Sequence, residues 1–159
     1  MNTLNIEKAN AEKAYKEADK QGKSLLENLF GKKMFVSADI LDCVTTWEQV
    51  AEIKGLHPVM SLPFPSPGDQ DEEATNAFFI ITKAGQVFNE GWVPDWKNSN
   101  QRKYVIWWDM SGVRFSFLVC GCVHADAAVG SRLCYKSEEV LRHMVKHFLP
   151  YFEKMNTIK

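Results

Sequence analysis

QVFNEGWVPDWKNSNQRKYVIWWDMSGVRFSFLVCGCV, residues 86–123, holds four of the chain's five tryptophans and decides how the rest is read. Within it, Arg102 to Met110 and Val113 to Val123 are two β-rich runs separated by Ser111 and Gly112, a short glycine-containing break of the kind that closes a hairpin. A two-residue turn there predicts Met110 facing Val113, Trp108 facing Phe115, Ile106 facing Phe117 and Tyr104 facing Val119. That ladder of aromatic and β-branched pairs is expected to be the core face. The other face takes Asp109 with Arg114, Trp107 with Ser116 and Val105 with Leu118, a mixed set that predicts Trp107 to be at least partly exposed. A slip of one residue would mix the two sets, so the pattern itself argues for this register.

The chain has 159 residues, 45% hydrophobic and 25% charged, enough for one globular domain whose core needs neither disulfide nor metal. A formal net charge of -1 gives no global attraction to nucleic acid or to an anionic membrane. The N-terminus, MNTLNIEKANAEKAYKEADK, is charged where a signal peptide would need an apolar run, and no stretch approaches a membrane span. A cytoplasmic protein with no membrane partner is therefore expected. Its four cysteines, Cys43, Cys120, Cys122 and Cys134, are then reduced, and Cys120 with Cys122 share a strand face that suits burial better than bridging.

Residues 1–91 read as a helical half. A thin apolar stripe from Ile6 to Lys20 predicts a peripheral helix ending near Gly22, followed by a short helix with capping-box spacing at Ser24 and Glu27 and a stop at Gly31. Thr46 to Ile53 is another helix, capped by Thr46 with Gln49 or Thr45 with Glu48 and stopped by Gly55. Residues 57–68, HPVMSLPFPSPG, contain four of the six prolines and sustain neither helix nor central strand, so they form a connector. Asp69, Asp71, Glu72 and Glu73 then load the first turn of a central helix that runs on to a stop at Gly91.

Beyond the hairpin, Gly130 to Lys136 reads as a third strand, which gives a sheet over 102–136. Ser137 caps a closing helix over 138–154 that carries Leu141, Met144, Val145, Phe148 and Phe152 on one face. Pro150 is expected to kink or restart it. The sum is an α+β domain with N-terminal helices, a three-stranded antiparallel meander and a C-terminal helix packed on the sheet.

Three segments carry a resemblance: AYKEADKQGKSLLENLFG, NEGWVPDW with KY at 103 and 104, and GSRLCYKS followed by a helix. They resemble an uncharacterised family of small bacterial proteins abundant in gut anaerobes and found in their prophages. The resemblance covers both ends and the tryptophan segment but not the proline connector. The family's strand after KY usually has a proline before its aromatics, where this chain has Val105 and Ile106 before Trp107 and Trp108. The resemblance implies a phage or mobile-element setting and a variable strand region between Trp108 and Gly130, which suits partner recognition better than catalysis.

The residues give no catalytic or cofactor motif. Cys120, Cys122 and His124 alternate on one strand face, and His143 and His147 lie one helical turn apart. A zinc knuckle needs wider cysteine spacing, and His143 is expected on the solvent side of its helix, so no metal site is assigned. No motif puts a cysteine at a helix N-terminus or in an elbow turn, and there is no phosphate-binding glycine loop. The acid pairs read as helix-end charges. Neither an enzyme nor a cofactor is expected.

The tryptophans remain. Trp combines a large apolar body with one donor and serves core and interface alike. One reading is core packing plus a pinned loop. The sharper one is a binding patch of Trp92, Asp95, Trp96, Lys97, Trp107 and Arg114 that recognises a protein, a peptide or another macromolecule. A single-stranded nucleic-acid binder, stacking bases on the aromatics while Lys97, Arg102, Lys103 and Arg114 meet phosphates, is the alternative, and a metal-dependent enzyme ranks below it.

Overall fold

The computed structural model describes residues 8–31, 35, 39–111, 115–125 and 128–158. Its contacts divide the chain into two compact units, residues 1–44 and 45–159.

The first unit contains helices α1 (Lys8–Glu17), α2 (Lys20–Phe30) and the single turn α3 (Ile40–Cys43). The expected break at Gly22 falls earlier, because Asp19 caps α2 by accepting a hydrogen bond from the Gly22 amide. A side-chain carboxylate at the N-cap satisfies donors that glycine cannot, so Gly22 and the predicted cap Ser24 both lie inside the helix. Gly31 does end α2, with φ at 82°. The rings of Tyr15 and Phe35 stack at 4.5 Å, Phe30 meets Phe35 edge-on at 6.0 Å, and the Tyr15 hydroxyl donates to Glu27 at 2.5 Å.

The second unit begins with α4 (Trp47–Lys54), which shows the full capping box of Thr46 and Gln49 and ends on Gly55 in the left-handed region. The Trp47 indole donates to the Pro58 carbonyl at 2.7 Å, pinning the start of the proline connector. Asn76 holds its middle by accepting from the Phe64 amide and donating to the Phe64 carbonyl. Helix α5 (Gln70–Phe88) starts at Asp69, whose side chain accepts from the Glu72 amide. It packs along α6 (Glu138–Asn156), and Ile81, Ala84, Phe88, Leu141, Met144 and Phe148 between them are fully buried. Ser137 caps α6 as expected, and the helix is continuous through Pro150 to Asn156. His143 is not on the solvent side. Its ring meets Phe88 at 4.6 Å.

Strands β1 (Lys103–Asp109) and β2 (Ser116–Val123) pair antiparallel. The register differs from the two-residue turn. Trp107 faces Val119, Val105 faces Gly121, Ile106 faces Cys120 and Tyr104 faces Cys122, while Trp108 faces Phe117 and Asp109 faces Ser116. Two local causes account for the shift. The Asp109 carboxylate accepts from the amide and the hydroxyl of Ser111, so the chain turns away from the ladder at Asp109 rather than at Ser111. A bulge then inserts Leu118 between the partners of Trp107 and Trp108. Val119 is thereby moved to the face of Trp107, and Trp108 keeps both Phe115 (4.6 Å) and Phe117 (6.5 Å). The expected pairs Met110–Val113 and Asp109–Arg114 lie partly outside the described residues.

Among the described residues the sheet has two strands, and the expected three-stranded meander is not formed. Residues 130–136 fold instead as a 3-10 turn, Ser131–Leu133, followed by one bridge in which Tyr104 and Tyr135 exchange both backbone hydrogen bonds. The bridge lies on the edge of β1 away from β2, so β1 is central. The alternation of Leu133 and Tyr135 is met by burying Tyr135 alone, fully, with its ring against Gly85 of α5. Helix α6 covers the face of Ile106, Trp108 and Phe117: Phe152 meets the Trp108 ring at 4.8 Å and the Arg142 guanidinium lies 5.8 Å over Phe117.

Candidate functional site

The site is built on the other face of the hairpin, where Lys103, Val105 and Trp107 alternate along β1 and Val119, Gly121 and Val123 answer on β2. Its two ends differ. At the start of β1, Lys103 is fully buried; its ammonium donates to the carbonyls of Asn98 (3.2 Å) and Gln101 (2.8 Å) and lies 5.3 Å over the Trp96 ring. Two carbonyls and an aromatic face replace the water a cation loses on burial. The loop from Trp92 to Gln101 is thus folded down on this end.

The far end is open. Trp107 is 54% exposed, its partner Val119 is 51% exposed and the bulged Leu118 is 60% exposed. The indole is not loose: it lies across Gly121, where an added β-carbon would stand 2.4 Å from Nε1. Glycine is the only residue that lets the ring settle there, an arrangement in which a cross-strand aromatic covers a glycine in a sheet.

The six sequence candidates separate accordingly. Trp96 is a structural lid, its ring over Lys103 and its indole N–H donated to the Ser131 hydroxyl at 2.7 Å. Asp95 shapes the loop, accepting from the Lys97 amide and donating its own amide to Gln101, with its side chain and that of Lys97 exposed. Trp92 lines a separate cleft of about 310 Å³ between Thr82 and Gln86 of α5, Pro94, and Ser131 and Arg132 of the 3-10 turn. Arg114 lies outside the described residues. Only Trp107 stands on the open sheet face.

One contributor is not foreseen by the sequence. Val119, expected on the core face opposite Tyr104, joins Leu118 on the open surface because of the bulge, and no local signal marks a bulge in SFLV. Lys103, offered as a phosphate contact, is enclosed and unavailable to one. Cys122, expected to be buried, is exposed, and Cys120 is half-buried, its thiol pushed up mainly by burial. Cys134 is buried and its thiol is likewise pushed up by burial, with Lys103 opposing. Among the described residues no three His, Cys, Asp or Glu side chains are grouped to hold a metal, and no helix is long and apolar enough to cross a membrane. No protein-family model, curated protein or solved structure matches the chain.

Proposed function

We propose that this chain is a non-enzymatic recognition module, of phage or mobile-element origin, that binds another protein through the open end of its hairpin face. The observation that carries the reading is Trp107, seated on Gly121 with its outer face free and flanked by exposed Val119 and Leu118. Tryptophan is the residue most enriched at binding hot spots, and an apolar cluster ringed by polar positions is the usual anatomy of such a centre. Here Asp109 and Ser116 supply the polar rim next to it. The support is also negative for the nucleic-acid alternative, since one of its four cations is buried.

The test is affinity capture from a lysate of the source cells, with and without nuclease treatment, comparing the wild-type chain with Trp107→Asp and with Lys97→Ala. The reading expects a protein retained by wild type and Lys97→Ala and lost with Trp107→Asp. Equal retention by all three chains would remove Trp107 from the site, and loss of the signal on nuclease treatment would turn the reading towards nucleic acid.

A further inference from the structure

We propose that the outer edge of β2 pairs with the same edge of a second copy of this chain, giving a two-fold dimer with one continuous antiparallel sheet. Hydrogen-bond parity sets which backbone groups face that edge. In an antiparallel strand the N–H and C=O of one residue point to the same edge, and successive residues alternate. Tyr104 spends both groups on Tyr135, away from β2, so its partner Cys122 directs both of its own away from β1. Cys120, opposite Ile106, does the same. Four backbone groups therefore line the outer edge of β2, with no backbone partner among the described residues.

The composition of the strand says what covers them. Natural edges are protected by charge, proline, inward twist or a covering element. SFLVCGCV has no charge and no proline, and its bulge at Leu118 leaves Val119 to Val123 as a regular run. A two-fold axis through Gly121 pairs Cys120 with Cys122 of the second copy and Cys122 with its Cys120, using all four groups. Gly121 then meets its own copy in the closer, non-hydrogen-bonded pair, where a missing side chain removes any clash. Val119 meets the second copy's Val123, which covers a valine now half in water and forms the β-branched pair that stabilises sheets. Because the run is uncharged, self-pairing sets no like charges opposite each other. A partner strand of another sequence has no such assured match.

Five residues span only about 17 Å, a small contact, so the dimer is of roughly micromolar rather than nanomolar affinity. The proposal shares Val119 with the recognition reading but rests on backbone groups at the strand edge, whereas that reading rests on the outer face of the indole.

The test is sedimentation equilibrium of the full chain over roughly 1 to 100 µM, the range such an affinity requires, for wild type and Cys122→Pro. Proline at 122 deletes an outward N–H and leaves the β1–β2 ladder intact, whereas Gly121→Pro would break the ladder itself. The expected result is a concentration-dependent dimer for wild type and a monomer for Cys122→Pro, with unchanged circular dichroism. An independent readout does not need the proline variant to fold: copper-phenanthroline oxidation of wild type, then trypsin, should yield the peptide 115–132 covalently joined to a second copy of itself. Wild type monomeric throughout overturns the proposal and leaves the edge to a strand from another protein. Dimerisation with the cross-link confined to Cys43 or Cys134 overturns it as well.

Discussion

The indole of Trp107 rests on Gly121, its Nε1 and Cδ1 at 2.4 Å and 2.8 Å from where a β-carbon would stand. The contact joins successive pairs on one face of the ladder, Trp107 with Val119 and Val105 with Gly121, and fixes an otherwise solvent-facing ring in one pose. Replacing Gly121 with Ala should lift the ring off the strand. Because the displaced ring can move outward into solvent, the cost to stability is expected to stay within about 1 kcal/mol. The measurable change is in emission: Gly121→Ala should red-shift tryptophan fluorescence, and the shift should vanish in a Trp107→Phe background. An unchanged spectrum would mean the ring is not seated there.

Lys103 is a fully buried cation, held by the Asn98 and Gln101 carbonyls under Trp96. Lys103→Met keeps most of the apolar stem and takes the ammonium donor from the half-buried Gln101, while the Asn98 carbonyl keeps its bond from the Gln101 amide. A loss of about 1 to 2 kcal/mol in urea unfolding is expected, the cost of an acceptor left unsatisfied. Amide exchange should rise across residues 95–101 and leave α5 and α6 untouched. Uniform acceleration everywhere would contradict a role confined to this loop.

In the first unit the Tyr15 hydroxyl is pushed up from 10.0 to about 12, first by its hydrogen bond to Glu27, then by burial and by the Glu27 charge. The folded state holds this proton more tightly than the unfolded chain does. Stability from the bond is therefore complete below pH 10 and declines as pH rises toward 12. A difference titration of phenolate absorbance between wild type and Tyr15→Phe isolates this group. Its midpoint should fall back toward 10 in Glu27→Ala, and an unmoved midpoint would dismiss Glu27 as the cause.

What the sequence made legible was local. Thr46 with Gln49, one of the two pairings offered, and Ser137 cap their helices, because a cap is decided within four residues, while Asp69, read as a first-turn charge, is the N-cap of its helix. The sheet was only partly legible. The open setting of Trp107 followed from its polar neighbours, yet its partner is Val119 and not Ser116, since the Asp109 carboxylate and the Leu118 bulge reset the ladder. The third strand failed because two alternating residues are too few to require one. The structural role of Trp96 was not legible for a related reason: the cation it covers is held by carbonyls of its own loop, and backbone acceptors leave no mark in composition.

The hairpin has one covered face, with Trp108 against Phe152, and one face that is open at its far end, with Trp107 on Gly121. Urea unfolding of Trp107→Ala beside Trp108→Ala tests this arrangement most directly. The predicted result is a loss within about 1 kcal/mol for Trp107→Ala and about 3 kcal/mol for Trp108→Ala. The reverse order, with Trp107→Ala costing about 3 kcal/mol or more, would contradict it.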